Sequence, residues 1–168
     1  MCKGLLKAAI VATAVSATIV GAATALTAAV IIGATNAHGA EWSVITPIGS
    51  KHLNTDVDYN ENNYGLGVQY KDFGLLWFKN SYDNNSIAVF WSPRTQIVSG
   101  IDVGVRLGAA SGYDEVGVSM SPLFGSVIPF VNPYVSVGNS EWGWLNVGVL
   151  PPVGSDGAVI TFDYEYRF

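Results

Sequence analysis

The sequence predicts an all-β fold, an eight-stranded antiparallel transmembrane (outer-membrane) β-barrel behind an N-terminal signal peptide, on three observations. Hydrophobic residues make up 49% of the 168 positions and charged ones only 12%, with 19 glycines, whereas soluble domains carry about 25% charged residues. After residue 40 no uninterrupted apolar run reaches the roughly 18 residues that a spanning helix needs. The chain breaks instead into short stretches of alternating apolar and polar residues, separated by Asn, Asp, Gly, Ser and Pro, the pattern of strands and turns.

Residues 1–37 are read as the export signal. Lys3 and Lys7 make a basic head, and no charge follows from Ala8 to Ala37. Cleavage after Ala37 places Thr35 at the minus-three position; cleavage after Ala40 places the bulkier His38 there. The alternative is an uncleaved anchor, because the run exceeds the ~7–15 residues of an ordinary signal core. Cys2 precedes the apolar run and is not placed as a lipid acceptor; as the sole cysteine it excludes disulfides and cysteine metal sites. Beyond residue 40 stand six basic residues and thirteen acids, a net charge of −7, which argues against a nucleic-acid partner.

Residues 41–168 then divide into eight predicted strands, about 42–52, 63–71, 74–82, 86–93, 99–110, 130–138, 142–150 and 158–168. The last is the clearest: Ile160, Phe162, Tyr164, Tyr166 and Phe168 share one face, and Thr161, Asp163, Glu165 and Arg167 the other. Aromatic-out, charged-in alternation is what lipid demands, since no water solvates a charge on the outer face. In the second strand Tyr64, Leu66, Val68 and Tyr70 alternate with Gly65, Gly67, Gln69 and Lys71; in the fifth, Ile101, Val103, Val105 and Leu107 alternate with Asp102, Gly104, Arg106 and Gly108. The fourth strand is apolar on both faces. The stretch 115–129 is read as a long loop leading into the sixth strand, with a further strand as the alternative. A lipocalin-like barrel would reverse the pattern, with apolar residues inside.

Asp102, Arg106, Asp163, Glu165 and Arg167 are predicted to pair as an ionic floor within the barrel. Small barrels fill their interiors with side chains, which disfavours a porin. Above that floor, Gly65, Gly67, Trp77, Gly108 and Ala110 are expected to face inward and leave room for an apolar chain. Lys79 cannot face hydrocarbon, so it is predicted to point inward and to carry Ser81 with it by the two-residue period. His52, sharing a face with Ser50 and Thr46, is placed at the same outer rim.

His52 followed by Asp58 to Glu61, the glycine-rich stretch Tyr64 to Gly67, Phe78 to Tyr82, Ser121 to Phe124, Val135 to Gly138 and the ending Tyr166 to Phe168 together resemble the lipid A palmitoyltransferase family. These are eight-stranded outer-membrane barrels that move a palmitoyl chain from a phospholipid to lipid A. The resemblance implies that His52 is the base, Ser81 the hydroxyl partner, and Asn80 the counterpart of the family's aspartate. It also implies substrate contacts at Gly65, Gly67, Trp77 and Gly108, membrane lipids as partners, and a monomer without cofactor or metal. An amide at position 80 can orient an imidazole but adds no charge. The family's short helix before the barrel is not evident, and Phe90 and Trp91 stand where the family keeps a glycine at the pocket floor. The alternative function is a non-catalytic surface barrel, phage-encoded receptor blockers included, whose outer loops 53–62 and 111–129 bind a partner.

Overall fold

The computed structural model describes residues 42–114, 118–121, 125–152 and 157–168. The predicted export signal, both candidate cleavage positions and His38 lie outside the described residues. Among the described residues ten strands form: β1 (Trp42–His52), β2 (Gly65–Tyr70), β3 (Phe73–Lys79), β4 (Asn85–Trp91), β5 (Arg94–Val98), β6 (Ile101–Ser111), β7 (Val118–Ser121), β8 (Gly125–Asn139), β9 (Gly143–Leu150) and β10 (Val159–Arg167). Eight of them close a ring in the order β1, β2, β3, β4, β6, β8, β9, β10, and β10 pairs back onto β1. Every pairing is antiparallel, and the long β6–β8 seam runs from Ile101 opposite Val137 to Ser111 opposite Val127.

β5 is not a ninth wall. Trp91 lies opposite Leu107 and Arg94 opposite Gly104, so β5 continues β4 in one register and residues 85–98 form one strand broken at Ser92 and Pro93. Proline has no amide hydrogen for the ladder, which is why the break falls there. The expected strand end at 93 and connection at 94–98 are thereby corrected: the turn is Ser99 and Gly100, with Gly100 at φ +80. The sixth wall strand also starts earlier, at Gly125, and β7 pairs with its upper end.

With these corrections the connections sort cleanly. At one end they are 71–72, 99–100 and 140–142; at the other they are 53–64, 80–84, the 112–124 excursion that contains β7, and 151–158. Short turns at one end and longer loops at the other are the habit of outer-membrane barrels, with the long loops outside.

The exterior is apolar on every wall. Leu66, Val68, Phe73, Leu75, Ile87, Val89, Val135 and Val137 stand between 37% and 69% exposed. Trp42 packs on Tyr70 at 4.8 Å and Tyr166 on Phe168 at 5.2 Å near the short-turn end, while Tyr64 meets Trp77 at 6.3 Å nearer the long loops. Soluble monomers seldom expose an apolar patch above roughly 300–600 Å², and a band that encircles the molecule belongs in hydrocarbon. The described residues contain no helix long and apolar enough to cross a membrane.

Two phases differ from expectation. In β3 the inward residues are Gly74, Leu76 and Phe78; Trp77 is 44% exposed, faces outward opposite Leu66, and shares that side with Lys79. Lys79 avoids hydrocarbon because it ends the strand and folds back on Asp83, Nζ donating to the Asp83 carbonyl at 2.6 Å with Oδ1 at 3.3 Å. In β1 a bulge between Pro47 and Gly49 inserts one residue, so Thr46 lies opposite outward Tyr164 whereas Ser50 lies opposite inward Thr161. Thr46 and His52 therefore do not share a face.

Charge fills the lower interior. Arg106 holds Asp163 with two bonds of 2.6 and 2.9 Å, Arg94 holds Glu165 with two of 2.7 and 2.8 Å, and Arg167 reaches Asp102 at 2.6 Å and Glu165 at 3.2 Å. Asn146 donates to both Asp163 and Glu165. The six charges balance, which lets them stay ionised away from water. Arg167 also lies 4.0 Å from the Trp144 ring centre and Arg106 4.7 Å from that of Tyr134.

Candidate functional site

Above the ionic floor the interior becomes apolar. Leu76 and Phe78 of β3, Ala88 and Phe90 of β4, Ala110 of β6, Phe130 of β8, and Leu150 and Val159 flanking the last long loop line a cavity of about 130 Å³. Phe90, 5% exposed, lies across its lower part with its ring against Gly74 and 5.7 Å from Arg106. An engineered apolar cavity of roughly 150 Å³ takes one benzene. This space therefore suits about six carbons, far short of a sixteen-carbon chain, with the bulky Phe90 taking up its lower part.

The glycines expected to leave room do not line that space. A side-chain carbon on Gly65 would meet Phe78 Cβ at 2.7 Å, on Gly67 Leu76 Cδ1 at 2.8 Å, and on Gly108 Phe90 Cβ at 2.8 Å. Each is the residue directly across the ladder, so these glycines seat larger neighbours. Of the four expected substrate contacts, Gly65, Gly67 and Gly108 are inward seats and Trp77 is on the outside wall.

Segment 60–64 straps the tops of β1 and β3 together. Its β1 side is held by Glu61, whose carbonyl accepts from the Ser50 amide, while its carboxylate accepts from Lys51 Nζ at 2.8 Å and the His52 amide at 2.9 Å. These contacts, Lys51 first and the His52 amide next, hold the Glu61 carboxyl below the usual carboxylate range. Its β3 side is held by Asn60, whose amide donates to the Ser81 carbonyl and whose side chain donates to the Asn80 carbonyl, and by Asn63, which donates to the Lys79 carbonyl at 3.0 Å.

His52 and Ser81 thus sit on one rim, each tied to a consecutive residue of the strap, as the sequence reading expected. Tyr59 stacks on the His52 ring at 4.4 Å, meets Tyr82 edge-on at 5.5 Å, and Tyr82 meets Tyr113 at 6.1 Å. The His52 side chain is only 7% exposed beneath this row, with Nδ1 3.8 Å from Glu61 Oε1. Burial, with Tyr82 beside it, pushes the Tyr113 phenol up. Ser81 lines both the apolar cavity and a wider groove between loop 53–64 and the 80–84 turn, where it meets Asp58, Tyr59, Tyr82 and Asp83.

Asn80 is fully buried and its amide is spent on structure. Nδ2 donates to Ser86 Oγ at 3.0 Å and to the Gly112 carbonyl at 2.6 Å, while Oδ1 accepts from the Tyr82 and Asn84 amides at 2.9 Å each. An aspartate here would place a second acceptor against the Gly112 carbonyl. That accounts for the amide at this position in terms of the turn alone. Sequence reasoning missed Arg94, because it fell in a supposed connection, and the tyrosine row, whose members come from three separate loops. Among the described residues no group of His, Cys, Asp or Glu is arranged to hold a metal ion.

No family model matches this sequence, and no curated protein matches it. Among solved structures, the chain is similar to the backbone structure of the Yersinia pestis outer membrane protein Ail in a phospholipid bilayer nanodisc, at TM-score 0.43 and 13% identity, over 77% of this chain and 99% of that one.

Proposed function

We propose that this chain is a monomeric barrel of the bacterial outer membrane that works as a surface binding protein through its long-loop rim. The apolar girdle around a charge-balanced interior supports the location. The observation that carries the binding reading is the strapped rim. Glu61, Asn60 and Asn63 fasten loop 53–64 to two strands, and Tyr59, Tyr82 and Tyr113 stand in a row across the mouth. Rigid tyrosines with asparagines around them supply contact area at low entropic cost, and a loop already held in place loses less on binding. The test is to display the protein on bacteria and measure adherence to host cells and phage adsorption, with residues 55–59 replaced by a Gly/Ser linker as the comparison. The reading predicts a change in one of the two that the linker variant abolishes; no difference from cells without the protein in either assay rejects it.

Acyl transfer from phospholipid to lipid A at His52 and Ser81 is the second reading, favoured by the place of Ser81 at the edge of an apolar cavity. In it His52 acts as general base and Ser81 as its hydroxyl partner, while Asn80 holds the turn. Lipid A masses from expressing cells decide it: an added acyl mass lost in both His52→Ala and Ser81→Ala supports transfer, and unchanged masses for the wild type reject it.

A further inference from the structure

The groove between loop 53–64 and the 80–84 turn, about 500 Å³ in volume, is walled by Asp58, Tyr59, Ser81, Tyr82 and Asp83, a size within the roughly 300–1,000 Å³ of ligand clefts. Tyr59 and Tyr82 stand at 89° with ring centres 5.5 Å apart, so together they form a corner with a π face on each side. His52 stacked on Tyr59, and Tyr113 against Tyr82, hold that corner in place, and Asn80 Oδ1 fixes the Tyr82 amide. The same rim carries surplus negative charge. Arg94, Arg106 and Arg167 are all taken up in the floor by Glu165, Asp163 and Asp102. Among the described residues of the long-loop end, Asp56, Asp58, Glu61, Asp83 and Asp114 face only Lys51 and Lys79, a surplus of three negative charges. Both lysines are engaged, Lys51 with Glu61 at 2.8 Å and Lys79 with Asp83 at 3.3 Å. Asp58 is exposed and makes no hydrogen bond or ion pair with another described residue.

We infer that this groove is the docking site for a basic, arginine-presenting segment of a partner protein, with one guanidinium seated in the Tyr59–Tyr82 corner and hydrogen-bonded to Asp58. An aromatic corner beside an unpaired carboxylate selects a flat cation. A guanidinium can lie against a ring and still fork two N–H groups onto a carboxylate, which a lysine ammonium cannot do. Asp83 shares its charge with Lys79 and adds to the attracting field rather than to the contact. The surplus charge steers a basic partner toward the rim and repels phosphate-bearing ones. The inference rests on the surface-binding reading above and gives the chemistry of the partner.

The test uses the whole barrel in phosphatidylcholine nanodiscs with ring-labelled tyrosine, titrated with hexa-arginine, hexalysine and hexaglutamate peptides. Hexa-arginine is expected to shift the Tyr59 and Tyr82 signals saturably and to leave Tyr70 and Tyr166, near the short-turn end, unmoved. Hexalysine should bind about threefold more weakly, and hexaglutamate should give no shift. Asp58→Asn should weaken hexa-arginine roughly fivefold, whereas Asp56→Asn, in the same loop but off the groove, should cost less than about twofold. Tyr82→Leu, read at Tyr59, should weaken binding as Asp58→Asn does, and Tyr82→Phe should keep it; heat-modifiable gel migration confirms that each variant read is folded. No saturable shift, equal affinity for hexalysine, or equal losses from Asp56→Asn and Asp58→Asn, the mark of diffuse charge, each overturns the inference. Asp58→Asn in the cell assays separates it from the reading beneath it. Adherence or adsorption that the 55–59 linker abolishes and Asp58→Asn leaves intact overturns the arginine groove alone, whereas cells that show neither overturn both.

Discussion

Replacing Arg106 by methionine isolates the ion pair on which the interior depends. Asp163 is 5% exposed and receives two of its bonds, at 2.6 and 2.9 Å, from Arg106, keeping only Asn146 Nδ2 at 2.7 Å once the guanidinium is gone. Methionine is close in length and apolar, so packing changes little and the loss is electrostatic. Stranding one partner of a buried ion pair costs about 3–5 kcal/mol. Adding Asp163→Leu removes the stranded charge, and Asn146 retains Glu165 at 3.2 Å, so the double variant should recover to within about 2 kcal/mol of wild type. Reversible folding into phospholipid vesicles, titrated with denaturant and followed by tryptophan fluorescence, measures both by linear extrapolation. A single-variant loss under about 1 kcal/mol, or a double variant no better than the single, refutes a dry, paired interior.

Asn80→Asp, nearly isosteric, should destabilise the barrel by about 1–3 kcal/mol, because the oxygen replacing Nδ2 faces the Gly112 carbonyl; the same titration reads it. Leu75→Arg on the exposed β3 face should cost about 2–4 kcal/mol near the bilayer midplane, whereas the same charge in water would cost little. The Glu61 carboxyl is lowered by Lys51 and the His52 amide, so the strap is at full strength above the ordinary carboxylate value and is lost as pH falls through the lowered one. Protection of the His52 amide relative to its intrinsic exchange rate should therefore fall as pH drops below the ordinary carboxylate range and be lost at every pH in Glu61→Ala.

Strand identity was legible wherever one face was polar. β10 and β6 announce their phase because Asp163, Glu165, Asp102 and Arg106 can only point inward. β3 does not, since Gly74 to Phe78 is apolar on both faces, and the one charged residue that bears on its phase, Lys79, stands at the strand end where hydrocarbon no longer constrains it. The β1 phase slipped at Pro47 to Gly49, where one inserted residue reverses everything before it; a proline and a glycine two apart are the signal that could have shown a bulge. Pro93 signals a strand end in sequence but is an interruption in the structure, which puts Arg94 back in the wall. The rim was legible in part, His52 and Ser81 by height, but not the bonds that commit Asn80 to the turn, because those come from residues up to 32 positions away.

Lipid-exposure mapping along β3 and β6 tests the central claim most directly. The sole cysteine of the sequence, Cys2, can be replaced, so single cysteines at Leu75, Leu76, Trp77, Phe78 and Arg106 can carry spin labels in bilayers. Labels at 75 and 77 should collide with a lipid-soluble relaxant while those at 76, 78 and 106 stay protected, matching the outward Leu75 and Trp77 and the buried Arg106. Access at 76 and 78 with protection at 77, or free access at 106, would contradict an apolar exterior wrapped around a charged interior.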